Sequence, residues 1–170
     1  MPYNESFTKD QWTILELSIL WIFEAVAKAD GKRDLKEWEA MSIVHRKSEQ
    51  FDNELMREVL DAFFYDMDAI NDMFRSDQNI IEDGFRAISS FLDKCVSPKD
   101  ALGFKKSLIV IGTYIANASG ESYTGSNISN EEAQALQDIC DYLNLTQADL
   151  ERSPSVISIV ESLFKVKPKL

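Results

Sequence analysis

Apolar residues in this chain recur at spacings of three and four, with no useful run of strand-like alternation. Trp12, Leu15, Ile19, Ile22 and Val26 trace one helical stripe, and Leu17, Leu20, Trp21 and Phe23 widen it until the helix must be covered on most sides. Trp38, Met41, Val44 and His45 predict the inner face of a second helix. From Asn53 to Val96 the pattern reads as two or three acidic amphipathic helices, with Leu55, Val59, Phe63, Ile70, Phe74, Ile81, Phe85, Ile88, Leu92 and Cys95 turned inward. After Ser97-Pro98 comes a helix with Phe104, Leu108, Ile111, Ile115 and Ala118. The polar loop SGESYTGSN then leads to a helix with Ala133, Leu136, Ile139, Cys140 and Leu143. A final helix follows Asn144-Leu145-Thr146 and is expected to kink at Pro154. The fold class predicted is all-α, with about seven helices in one domain over residues 1–170 and a frayed basic tail at 165–170.

A repeat runs beneath this pattern. Leu15, Ile19, Ile22, Val26, Asp30 and Gly31 stand 89 positions before Phe104, Leu108, Ile111, Ile115, Ser119 and Gly120. Past the bend the offset is 95, which pairs Glu37, Trp38, Met41, Val44 and His45 with Glu132, Ala133, Leu136, Ile139 and Cys140. One helix–bend–helix unit therefore occurs twice, at about 8–50 and 98–145, around the acidic middle helices.

The bends hold the candidate chemistry. In the first, AKADGKRDLKEWE, Gly31 sits where a left-handed residue ends a helix. Asp34-Leu-Lys-Glu37 fits a capping box, as does Ser129-Asn-Glu-Glu132 in the second unit, with Ile128 as a hydrophobic staple. Asp30 lies at a helix carboxy end, where the macrodipole disfavours an anion, although an Asx-type turn would give it partners. Asp30, Asp34 and Glu37 could instead share a hard divalent cation, Ca²⁺ or Mg²⁺, with Glu132 approaching from the second bend. An EF-hand loop does not fit, because Val26 and Lys28 would occupy its first two ligand positions.

Composition narrows the partners. The formal net charge is −11, which disfavours nucleic acid and anionic lipid and favours cations and basic protein surfaces. The acids Asp61, Asp66, Asp68, Asp72, Asp77, Glu82 and Asp83 read as a solvated face or a docking surface for a basic partner. Cys95 and Cys140 fall on apolar stripes outside any CxxC motif, so reduced, buried thiols in the cytoplasm are expected. The polar amino terminus MPYNESFTKD is not a signal peptide, and Glu16, Glu24 and Lys28 interrupt the most apolar stretch too often for a membrane span. His45, the only histidine, is expected to be half-buried in the core, so no nucleophilic triad is visible. The aromatic set Trp12, Trp21, Trp38, Phe63, Phe64 and Tyr65 reads as core, Gly84 as a close helix contact, and Lys105-Lys106 as a basic pair at a helix start.

The stretches FEAVAKADGKRDLKEWE and FKKSLIVIGTYIANASGES…NISNEEAQALQDICDYLNL together resemble the TerB-like tellurite-resistance family, from about Trp12 to Leu150. Ala27, Asp30, Gly31 and Glu37 match that family's Ala-x-x-Asp-Gly-x-Ile-x-x-x-Glu pattern, and Ala116, Gly120, Ile128 and Glu132 match it in the second copy. Arg33 departs from the aliphatic position, Ser119 replaces the aspartate, and the second loop is longer. The resemblance implies an all-helical, cytoplasmic, stress-associated protein without catalytic residues. Its acidic bends would bind divalent cations, and its partners would sit near the membrane; a similar helical domain lies beside a J-domain in some membrane-bound co-chaperones. The expected function is a non-enzymatic stress or tellurite-resistance module with a divalent cation at Asp30, Asp34, Glu37 and Glu132. The alternative is a metal-free acidic scaffold that docks a basic protein.

Overall fold

A computed structural model describes residues 2–29, 35–76, 81–119, 128–151 and 156–164. These residues are all-α, as the periodicity predicts, with no strand among them. The helices are α1 Lys9–Ala27, α2 Leu35–Arg46, α3 Glu54–Tyr65, α4 Met67–Ser76, α5 Ile81–Cys95, α6 Pro98–Ser119, α7 Asn130–Tyr142, α8 Gln147–Glu151 and α9 Val156–Phe164. The acidic middle is three helices. The segment after Thr146 forms two, and Pro154 between them lies outside the described residues.

Local chemistry sets the ends. Thr8 and Gln11 form a capping box at α1: Gln11 N–H donates to Thr8 Oγ1 at 3.2 Å and Thr8 N–H donates to Gln11 Oε1 at 2.9 Å. Asn53 caps α3 by accepting from Met56 N–H at 2.8 Å. Asn144, with φ 55°, ends α7 in a Schellman arrangement. There Leu145 N–H donates to Cys140 O at 2.9 Å and Asn144 N–H to Asp141 O at 3.1 Å.

α1 and α6 form the centre, and their predicted stripes Leu15, Ile19, Ile22, Val26 and Phe104, Leu108, Ile111, Ile115 are all buried. The two helices touch at Gly112. A Cβ there would stand 2.9 Å from Ile22 Cδ1 and 2.7 Å from Leu136 Cδ2, so any larger residue would have to push these side chains aside. The short helices exchange: α2 packs on α6, and α7 packs on α1 as well as on its own α6. Helices α3, α4 and α5 cover α1, while α9 covers α6. Each buried Leu, Ile or Phe contributes about 1.5–3 kcal/mol, so this shared core holds the repeat units together.

The predicted face of α2 holds at Met41 and Val44 but not at its two ends. Glu37, Ala40, Met41 and Val44 are buried, whereas Trp38 is 46% exposed and His45 faces solvent. On α7 the predicted Leu136, Ile139, Cys140 and Leu143 are buried; only Ala133 is exposed, and the preceding Glu132 is buried in its place. Trp38 lies against Phe23 at 4.5 Å between ring centroids, covering the core edge rather than entering it. His45 is not a core residue; it stacks on Phe64 at 4.0 Å, an external contact that leaves the ring accessible. Of the predicted aromatic core, Trp21 and Phe63 are buried, Trp12 and Phe64 half-buried, and Tyr65 exposed. Gly84 packs as expected: a Cβ on it would overlap the six-membered ring of Trp21.

Candidate functional site

The second bend exits as its sequence predicts. Ser129 Oγ accepts from Glu132 N–H at 3.1 Å, and Glu132 Oε2 accepts from Ser129 N–H at 2.8 Å. Two N–H groups at the start of α7 are thereby satisfied within their own helix. Ile128, before the cap, packs partly buried against the core.

Of the four predicted cation ligands, Asp30 and Asp34 lie outside the described residues, as does the Asp34 half of the first capping box. Glu37 and Glu132 are 0% and 1% exposed, at matching positions in the first turns of α2 and α7. Deep burial of two carboxylates at equivalent places was not foreseen. The signal for it was the phase: an acid one residue before each expected apolar position. Among the described residues, no three His, Cys, Asp or Glu side chains gather as a metal group.

The end of α1 does approach the start of α7. Ala25, Lys28 and Ala29 line an open hollow of about 520 Å³ together with Asn130, Glu131, Gln134, Ala135 and Asp138. One turn before Lys28, buried Glu24 accepts from Lys28 Nζ at 3.1 Å. A side-chain cation therefore already serves this end of α1.

Two other features escaped the sequence. Lys105 and Lys106 do not start a helix; they lie inside α6 and are buried. Lys105 Nζ reaches Asp93 Oδ1 at 3.3 Å and Ser89 Oγ at 3.4 Å. Ser89 Oγ also donates to Leu143 O at 3.1 Å and accepts from Asn144 Nδ2 at 3.0 Å, tying α5 and α6 to the end of α7. The second feature is a cleft of about 680 Å³ among α3, α6 and α9. Phe51, Leu102, Val110 and Leu163 supply its apolar wall, and Arg57, Lys99 and Lys106 stand against Asp52, Glu54 and Asp100. Arg57 Nη1 donates to Phe51 O at 2.6 Å, and Ser107 Oγ donates to Gly103 O at 2.8 Å. Opposite charges balance around this cleft, and its Ser107 and Arg57 hold backbone carbonyls.

Cys140 is a buried free thiol, and burial first, then the Asp141 charge, pushes it up to about 11. Cys95 is only half-buried, so the expectation of two buried thiols holds for Cys140 alone. Glu16, buried on α1, has its carboxyl raised by burial and by the nearby Asp66 charge, with an opposing hydrogen bond from Trp12.

The acid surplus lies mainly on the surface. Asp61, Asp66, Asp68, Asp72 and Asp83 are exposed, Glu82 is half-buried and Asp77 lies outside the described residues. Glu82 pairs with Arg86 at 3.0 Å, but Asp61, Asp66, Asp68 and Asp72 form no ion pair among the described residues. Large exposed apolar side chains among the described residues are Leu35, Trp38, Tyr65, Met67 and Met73. No helix of the described residues is long and apolar enough to cross a membrane. Comparison with protein-family models, curated proteins and solved structures finds no match to this chain.

Proposed function

We propose that this chain is a non-enzymatic, TerB-like helical module of the stress or tellurite response that docks a basic protein partner through its acidic surface. The observation that carries this reading is the disposition of charge. In a chain of net charge −11, Asp61, Asp66, Asp68 and Asp72 stand exposed and form no ion pair among the described residues, while Glu132 caps its own helix. Displayed acids raise the local potential and steer a cationic surface in, with a strong dependence on ionic strength. Titration of the full chain with a basic peptide, with and without chelator, tests this. Binding weakens as salt rises and is indifferent to chelation; binding that chelator abolishes would overturn it.

A second reading keeps the divalent cation, Ca²⁺ or Mg²⁺, at the first bend. It is supported by the complete burial of Glu37, next to a loop that carries Asp30 and Asp34 in sequence. A cation there would neutralise clustered acids and fix the angle between α1 and α2. Calorimetric titration with Ca²⁺, Mg²⁺, Mn²⁺ and Zn²⁺ tests it: heat together with a raised melting temperature supports it, and neither at millimolar ion refutes it.

A further inference from the structure

We infer that the cleft among α3, α6 and α9 is a binding site for a small amphipathic carboxylate, whose anion is held by Arg57. This goes beyond acidic docking and does not depend on it. The cleft lies at the start of α3, whereas the acids assigned to docking lie toward its end and on α4.

Arg57 carries the inference. It is half-buried, and in a chain of net charge −11 it forms no ion pair among the described residues. Glu54 and Asp61 stand one turn to either side of it on α3, and neither takes it. Instead Arg57 Nη1 donates to Phe51 O at 2.6 Å, which turns the guanidinium toward the buried Phe51 of the cleft wall. That is the one hydrogen bond of its side chain among the described residues, for a group with five N–H donors. A planar fork with donors to spare matches a carboxylate, which it grips through two parallel bonds. Water could serve those donors equally well; the apolar wall beside them is what selects a ligand with a body.

The rest of the cleft sets that body and its charge. A volume of about 680 Å³ falls within the range of roughly 300–1,000 Å³ usual for small-molecule sites. Phe51 and Val110 are buried and Leu163 is half-buried, so a short alkyl or aryl body has an apolar wall to lie on. Lys106 on α6, only 8% exposed, adds a second cation to the lining. The acids are placed differently. Asp52 and Glu54 are exposed, and Asp100 Oδ2 accepts from Ser97 Oγ at 2.7 Å at the start of α6. A sheltered charge acts more strongly than an exposed one, which water and salt screen. The inner field of the cleft therefore favours a single negative charge, and its acidic rim opposes a dianion such as a phosphate monoester.

The test is calorimetric titration of the full chain with octanoate below its micellar range, against octylammonium, octanol and octyl phosphate. Octanoate binds and raises the melting temperature, and each of the other three binds at least about tenfold more weakly. Arg57→Gln weakens octanoate binding by about tenfold or more, and Arg57→Lys restores only part of it, because lysine keeps the charge and loses the fork. Ser162→Trp, at an exposed position on the α9 side of the cleft, blocks the site while every cation stays in place. Circular dichroism melts confirm that each variant folds; if Arg57→Gln does not, Ser162→Trp decides. Octylammonium or octanol binding as tightly as octanoate overturns the inference, as does undiminished octanoate binding by folded Arg57→Gln or by Ser162→Trp. Octyl phosphate binding more tightly overturns the carboxylate assignment. Neither heat nor a melting shift with millimolar octanoate overturns the site. The acidic-docking reading stands or falls separately, on its titration with a basic peptide.

Discussion

Gly84 and Cys140 show how single positions are fixed by their neighbours. The Trp21 ring takes the space beside Gly84 that a side chain would need. Gly84→Ala therefore destabilises despite a gain in helix propensity, by about 1–3 kcal/mol for overpacking, measurable by urea unfolding. Cys140 is buried with its thiol raised, and Cys95 is half-exposed. A thiol reagent at pH 8 should modify Cys95 in the native protein and reach Cys140 only on unfolding. The sign of the linkage follows from the raised value. Below the ordinary thiol value of 9.0 its contribution to stability is fully present, and it is lost as pH climbs toward about 11. Cys140→Ala should remove that part of the alkaline loss. At this scale the sequence misleads where one residue straddles two faces. Trp38 and His45 are apolar or aromatic and lie beside the true stripe, so periodicity counted them in. The burial of Glu37 is not legible in the sequence, because a Glu at the third position of a helix looks the same buried or exposed.

At the scale of the element, α7 gives the clearest match between residues and structure. Ser-x-x-Glu before an apolar run specified a capping box, and both of its hydrogen bonds are present. Ser129→Ala should cost about 1 kcal/mol. Glu132→Gln should cost less, because glutamine keeps the reciprocal bond. Glu37→Gln, at the matching position of α2, separates the two functional readings: under acidic docking it leaves peptide binding intact, and under the cation reading it lowers the heat of ion binding. The core stripes of α1, α3, α5 and α6 were legible because long helices repeat their period several times. The division of the middle into α3, α4 and α5 was only partly legible, since Asp66 breaks α3 from α4 without glycine or proline.

At the scale of the molecule, the long helices α1 and α6 meet at Gly112, α2 packs on α6, and α7 lies against both. The two long stripes could be read from the sequence. The packing of the short helices could not, because it depends on which long helix each short one chooses. The same holds for the cleft beside α9, whose lining comes from parts of the chain about a hundred residues apart, such as Phe51 and Leu163. Charge separates into two populations. Among the buried charges Glu24, Lys105 and Glu132 each have a partner, and Asp61, Asp66, Asp68 and Asp72 face outward. The central claim is that this outward charge serves a basic protein rather than a metal. The most direct measurement is calorimetric titration of the full chain with the basic peptide, run in chelator and in millimolar Ca²⁺ or Mg²⁺, at low and at physiological salt. The account predicts the same affinity in chelator and in Mg²⁺ or Ca²⁺ once ionic strength is matched, and a steep loss of affinity with salt. Binding that disappears in chelator and returns with either cation would contradict it.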